Sequence, residues 1–202
     1  MTNGGVVADA TDDAELVSAA QRGELDSFGV LVARYQGRVY NACYRICRDP
    51  DDAADLTQTA FLRAFEALAR FEVRANFYTW LFRIAVNATL SHQRRLRRRP
   101  RLSLEQFNDG EQMHGPELPA NADYPASRLE NAELRERLER ALGALNDDDR
   151  TVIVLKDVEG MNYAAMAQVL DVPVGTVKSR IHRARLALRA ALTGEERQRE
   201  RA

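Results

Sequence analysis

Between Val172 and Arg189 the chain reads VPVGTVKSRIHRARLALR, and this stretch constrains the fold more than any other. Val177, Ile181, Ala184 and Leu188 recur at three- and four-residue steps, the apolar stripe of an amphipathic helix. The remaining faces carry Lys178, Ser179, Arg180, His182, Arg183 and Arg185. Such a helix buries one side and offers the other to a polyanion. A second helical run, Tyr163 to Leu170, precedes it across the tight turn Asp171–Val172–Pro173. Two short helices joined in this way predict a helix-turn-helix, whose second helix can lie in the DNA major groove with its N-terminal residues at base edges.

The rest of the chain must fold around helices as well. Alanine, leucine and arginine dominate, alternating β-branched runs are missing, and Pro and Gly are sparse inside the periodic segments, which predicts an all-α protein. A length of 202 residues suits two small helical domains. The formal net charge of −1 looks wrong for a nucleic-acid binder, but the charge is segregated. Ser91 to Arg101 holds six arginines and no acid, whereas Leu102 to Ser127 holds five acids and no Lys or Arg.

The N-terminus is polar and acidic, unlike a signal peptide, and no apolar run approaches the ~20 residues that span a bilayer, so a cytoplasmic protein is expected. Cys43 and Cys47, the two cysteines, sit four residues apart without nearby His and read as core thiols rather than a metal site. His92, His114 and His182 are scattered and no glycine-rich phosphate loop occurs, so no enzyme, metal or cofactor site is expected.

Along the chain, Met1 to Thr11 reads as a disordered tail. Asp12 or Asp13 can cap a short helix to Gln21, stopped at Gly23, and Asp26 can cap a longer one from Ser27 to about Arg48. Phe28, Leu31, Val32, Tyr35, Val39, Ala42, Cys43 and Ile46 are its apolar face. After Asp49-Pro50, a third helix from Asp51 to about Arg70 buries Ala54, Phe61, Ala64, Phe65 and Leu68, leaving Asp55, Gln58, Thr59 and Arg63 outward. Asn76 can cap a fourth, Phe77 to about Leu96, with Phe77, Leu81, Ile84 and Ala88 as core. Its opposite face, Asn76, Thr79, Trp80, Arg83, Asn87 and Arg94, is harder to explain as core. Aromatics beside cations suit single-stranded nucleic acid, because ring faces stack on exposed bases while arginines hold phosphates.

From Leu102 to Ser127 periodicity is lost, and glycines and prolines mark a linker. Ser127 with Glu130 predicts a capping box opening a helix to Gly143, with Leu134, Leu138, Ala141 and Leu142 inward. Asn146 or Asp147 opens the next helix, ending near Gly160, and Asn162 caps the first helix of the helix-turn-helix. Glu195 to Ala202 reads as a frayed end.

The segments DAADLTQTAFLRAFEAL and FYTWLFRIAVN, with LNDDDRTVIVLKDVEGMNYAAMAQVLDVPVGTVKSRIHRAR, resemble regions two and four of bacterial sigma factors of the extracytoplasmic-function group. The resemblance spans roughly residues 12–190. It implies region two at 12–100, an acidic linker at 101–126 lying in the polymerase cleft, and region four at 127–194, without an additional acidic or intervening domain. It further implies that Asp55, Gln58, Thr59 and Arg63 dock on core RNA polymerase at the clamp coiled coil of its largest subunit, with a second contact at the flap. Phe71, Arg74, Asn76, Phe77, Trp80, Arg83, Asn87 and Arg94 would capture and melt the minus-ten element, a flipped base sitting in a pocket around Phe71 to Phe77. Lys178, Ser179, His182 and Arg183 would read bases of the minus-thirty-five element, with Thr176, Arg180 and Arg185 on phosphates. An anti-sigma factor is an implied partner. The chain departs from the family pattern at Thr59, where DxxQE has its acid, at Val73, at Tyr163-Ala164-Ala165 in place of YEE, and at Asp171 in place of the turn glycine. Two other readings stay open from sequence: an autonomous helix-turn-helix regulator, and a protein-binding adaptor derived from a sigma factor.

Overall fold

The structure, a computed structural model, describes residues 12–72, 75–98 and 125–199, without the side chains of 125–133, 135 and 194–199. The tail before Asp12, the Val73–Arg74 pair, and the linker up to residue 124 lie outside these residues. Among the described residues every regular element is helical.

Caps set the helix boundaries. Asp12 accepts from the Ala14 N–H at 3.4 Å to open α1 (Asp13–Gln21), and Gly23, at φ 98°, turns the chain. The second helix, α2 (Leu25–Cys47), starts earlier than the predicted Asp26 cap. Asp26 falls inside its first turn, where a carboxylate meets the positive end of the helix dipole. Asp49 accepts from Asp52 at 2.8 Å and Pro50 takes the first position of α3 (Pro50–Ala67), where a missing N–H costs nothing. A 3₁₀ turn, Leu68–Arg70, leads toward α4 (Phe77–Arg98), capped by Asn76 through a 2.8 Å bond from Thr79. α5 (Pro125–Ala144) starts before Ser127, so the predicted capping residue lies within the helix. Asn146 caps α6 (Asp147–Ile153), which widens into a π-helical turn at Val154–Val158 and stops at Gly160, φ 70°. Asn162 caps α7 (Tyr163–Leu170) through Ala165 at 2.8 Å, and α8 runs Val174–Arg199, into the segment expected to fray from Glu195.

The helices α1–α4 pack as one group, with α2, α3 and α4 in mutual contact, and α5–α8 as a second. Leu31, Ile46, Leu81 and Phe82 centre the first, and Leu142, Leu155, Met166 and Val177 the second. The two share one continuous core, because α4 packs on α7 and α2 on α6.

Two predicted stripes shift. In α3 the buried residues are Ala53, Leu56, Thr57, Ala60, Phe61 and Ala64, while Ala54 is half-buried and Phe65 is 43% exposed. This helix is pressed between α2 and α4, so its buried face turns toward Leu56 and Thr57, and Phe65 is left to stack at 5.1 Å on Phe28. Among the described side chains of α5 only Ala141 and Leu142 are buried, and Leu134 and Leu138 are exposed, because over these residues it is the last turn that reaches the core. Thr79 also goes inward, against its predicted outward placement.

Candidate nucleic-acid interface

The stripe that predicts α8 is the stripe it buries. Val177, Ile181 and Ala184 are buried and Leu188 half-buried, against α5, α6 and α7. Lys178, Ser179, His182, Arg183 and Arg185 are exposed, and Thr176 and Arg180 are half-buried at the edges of the polar face. The sharp turn into this helix uses Asp171 at φ 53°, a left-handed backbone that Asp tolerates better than most residues.

Two of the face's cations are held by carboxylates. Arg183 donates from Nε at 3.1 Å and Nη2 at 2.7 Å to Asp149, a residue itself buried at 4% exposure and steadied by Asn146 at 2.7 Å. The hydrogen bond to Asp149 raises the Arg183 pKa. Arg185 pairs with Asp157 at 2.5 Å, with the same effect. Lys178 stands 6.0 Å from the Tyr163 ring, at the outer limit of a cation–π contact. The face is therefore pre-set, with its longest cations oriented before any ligand arrives.

At the start of α4 and in the chain before it, Phe71, Phe77 and Trp80 form an aromatic cluster, with Phe71–Trp80 centroids at 4.6 Å, Phe77–Trp80 at 5.7 Å and Phe71–Phe77 edge-on at 5.9 Å. Phe71 and Phe77 are buried, at 8% and 3% exposure, so they wall the cluster, and half-buried Trp80 is its accessible ring. Beside them lies a cleft of about 290 Å³ lined by Asp12, Asp13, Ala14, Val17, Phe71, Ala75, Asn76 and Phe77. The Asn76 carbonyl is occupied as the cap of α4, which leaves its amide N–H groups as donors. Trp80, Arg83, Asn87 and Arg94 follow at helical spacing, and Arg83, Asn87 and Arg94 are exposed. The result is a ring, an amide and two guanidinium groups in line along one side of α4. Arg74 lies outside the described residues.

On α3, Asp55, Gln58 and Arg63 are exposed beside Leu62, itself 60% exposed, and Thr59 is half-buried. Sequence reasoning missed the junction between the halves. Arg38 of α2 meets Glu159 at 3.0 Å, the Tyr78 hydroxyl donates to the same carboxylate at 2.8 Å, and the Arg38 guanidinium covers the Tyr78 ring at 4.4 Å. Burial, then the Glu159 charge, drives the Tyr78 pKa upward. Partners more than eighty residues apart in the chain leave no local signal. Among the described residues no group of three or more His, Cys, Asp or Glu side chains could hold a metal, and no helix is long and apolar enough to cross a membrane.

Comparison with known proteins gives this geometry its class. Residues 31–99 match the family model of sigma-70 region 2, and residues 135–188 that of sigma-70 region 4. The RNA polymerase sigma-H factor of Pseudomonas aeruginosa is 36% identical over 180 residues, 89% of this chain and 93% of its own. The ECF RNA polymerase sigma-E factor of Escherichia coli K12 is 36% identical over 87% of this chain and 92% of its own. The solved structure of CnrH in complex with the cytosolic domain of CnrY superposes with a TM-score of 0.64 at 31% identity, covering 90% of this chain and 97% of CnrH. The chain belongs to the extracytoplasmic-function group of RNA polymerase sigma factors. It is an alternative sigma factor that directs RNA polymerase to promoters, and the regulator and adaptor readings find no support.

Proposed function

We propose that the two halves of the chain divide promoter recognition between them. Residues 12–100 dock on core polymerase and open the minus-ten element, residues 101–126 thread the polymerase cleft, and residues 127–194 read the minus-thirty-five element. The observation that carries this reading is the line Trp80, Arg83, Asn87 and Arg94 on α4, next to an aromatic-walled cleft. A half-exposed ring can stack on an unpaired base while the guanidinium groups take the flanking phosphates, which is the chemistry strand separation needs. Asn76 offers amide donors, and Asn87 both a donor and an acceptor, to base edges. Lys178, Ser179, His182 and Arg183 serve duplex bases, and Thr176, Arg180 and Arg185 phosphates. Asp55, Gln58, Thr59 and Arg63 form the clamp contact, aided by exposed Leu62. The factor works in the cytoplasm, without chemistry of its own. A separate inhibitory protein is a further expected partner, in keeping with the complex of CnrH and the cytosolic domain of CnrY.

The test is permanganate reactivity of promoter thymines in the complex with core polymerase. Trp80→Ala and Asn87→Ala should lose opening around minus ten while retaining duplex binding upstream. Full opening by both variants would remove α4 from the role assigned to it.

A further inference from the structure

The junction between the halves has a consistent polarity. Every cross-junction ion pair among the described residues places arginine on the first half and carboxylate on the second. Arg38 pairs with Glu159 at 3.0 Å, Arg97 with Asp147 at 2.7 Å, Arg83 with Asp171 at 3.7 Å, and Arg45 with Glu139 at 3.6 Å. The acids at the centre are sequestered, with the Glu159 side chain 5% exposed and that of Asp147 13%. Arg150 adds a hydrogen bond outside this pattern, its guanidinium donating across the junction to the Ile46 carbonyl at 2.7 Å.

These arginines are not scattered. Arg83 and Arg97 lie on α4, the helix assigned to strand opening, and Arg38 stacks on Tyr78 of the same helix. Their partners are a carboxylate at the start of α6, one just before α7 and one in the helix-turn-helix turn. The recognition helix is left clear, since its main contacts are with α5, α6 and α7 of its own half. The closed chain therefore occupies arginines of the opening helix with acids of the other half, while Arg183 and Arg185 of the recognition helix pair within their own half.

This arrangement cannot bind both promoter elements at once. Their names place them about 25 base pairs apart, about 85 Å at 3.4 Å per pair, whereas α7 is packed directly on α4. Engagement of a two-part promoter has to break the junction, and breaking it strands Arg38, Arg83 and Arg97 without their carboxylates. An arginine fork that fits a carboxylate fits a phosphate equally well.

We propose that Asp147, Glu159 and Asp171 stand in for promoter phosphates, occupying Arg97, Arg38 and Arg83 in the free chain until those arginines, Arg38 and Arg97 being new contacts, are handed to DNA. The inference rests on the assignment of α4 to strand opening. Opening of the chain and capture of the melted strand are then one exchange of anions rather than two events.

The test uses the full chain, small-angle scattering, and fluorescence anisotropy with a short labelled single-stranded DNA of mixed sequence. Asp147→Asn/Glu159→Gln should raise the radius of gyration and tighten single-strand binding by about fivefold, the effect of removing two modest ion pairs from the competing state. Adding Arg97→Ala to this variant should erase much of the gain. A second pair on more accessible carboxylates, Glu139→Gln/Asp171→Asn, should raise the radius likewise and tighten single-strand binding by about twofold, and serves if the first variant does not fold. Expansion without tighter binding, or an unchanged radius in both variants, overturns the proposal. Run-off transcription with core polymerase is made in parallel. Absence of promoter-specific starts with every protein sinks the functional reading and the proposal with it, whereas normal starts with unchanged single-strand binding sink the proposal alone.

Discussion

Arg150 is a buried cation, 7% exposed, whose replacement by methionine should be among the most damaging single changes in the second half. Its guanidinium donates to four backbone carbonyls: Leu142 at 2.8 Å, Gly143 at 3.3 Å, Leu145 at 2.6 Å and, across the junction, Ile46 at 2.7 Å. Three of these are carbonyls at or just past the end of α5, where helical partners run out, although Leu142 also accepts from the Leu145 N–H at 3.2 Å. Burial lowers the pKa of the group, an effect opposed by the Asp147 carboxylate at 3.6 Å. Arg150→Met keeps the apolar stem and deletes the donors. Each hydrogen bond to a charged donor contributes ~1.5–3 kcal/mol, but some stranded carbonyls regain water, so the net loss is expected at ~3–5 kcal/mol. That is a large part of the ~5–15 kcal/mol that holds a typical domain together. Arg150→Lys keeps the charge as a single point that cannot span four acceptors, and should recover only a minor share. Urea unfolding followed by circular dichroism reads the loss as a lower midpoint at unchanged slope. A cost for Arg150→Met below about 1 kcal/mol would refute the claim that this fork ties α5, α6 and α2 together.

Arg183→Ala should weaken binding to minus-thirty-five duplex by ~1–3 kcal/mol and relax preference at one position, and a uniform loss on every sequence would make it a phosphate contact. Asp171→Gly should stabilise the free protein by ~0.5–1 kcal/mol by relieving the left-handed turn, since the exposed Arg83 pair it removes contributes little; a lowered melting temperature would contradict this. Burial pushes the Cys47 thiol up to about 11 from an ordinary 9.0, so its alkylation at neutral pH should run ~100-fold slower than that of a free thiol. Burial likewise pushes Tyr35 to about 12 from 10.0, and both groups favour their protonated forms in the folded state. Their contribution is complete below about pH 9 and declines as pH rises through about 12, so a urea midpoint that rose over that interval would be the wrong sign.

Much of this was legible in the sequence, for local reasons. Asp12, Asn76 and Asn162 cap the helices they were expected to cap because a short polar side chain before an apolar run has little else to do, and the α8 stripe survives because it faces a single core. The α3 stripe slipped because that helix packs on two neighbours, so periodicity no longer picks out one face. Leu134 and Leu138 were misplaced because a helix with an apolar stripe need not have a partner along its whole length. For the sites, spacing alone put Trp80, Arg83, Asn87 and Arg94 on one side of α4, but could not say that Phe71 and Phe77 are walls rather than platforms. The anionic partners of Arg38, Arg97, Arg183 and Arg185 depend on tertiary contact and were out of reach.

The central claim is that one chain carries two promoter readers with separable duties. Its most direct measurement is run-off transcription by core polymerase on a library of promoters, comparing the unmodified chain with Asn87→Ala and Lys178→Ala. Specific starts should depend on the added protein, Asn87→Ala should change which minus-ten sequences are used, and Lys178→Ala which minus-thirty-five sequences. Starts that shift identically in both variants, or the absence of specific starts with the unmodified chain, would contradict it.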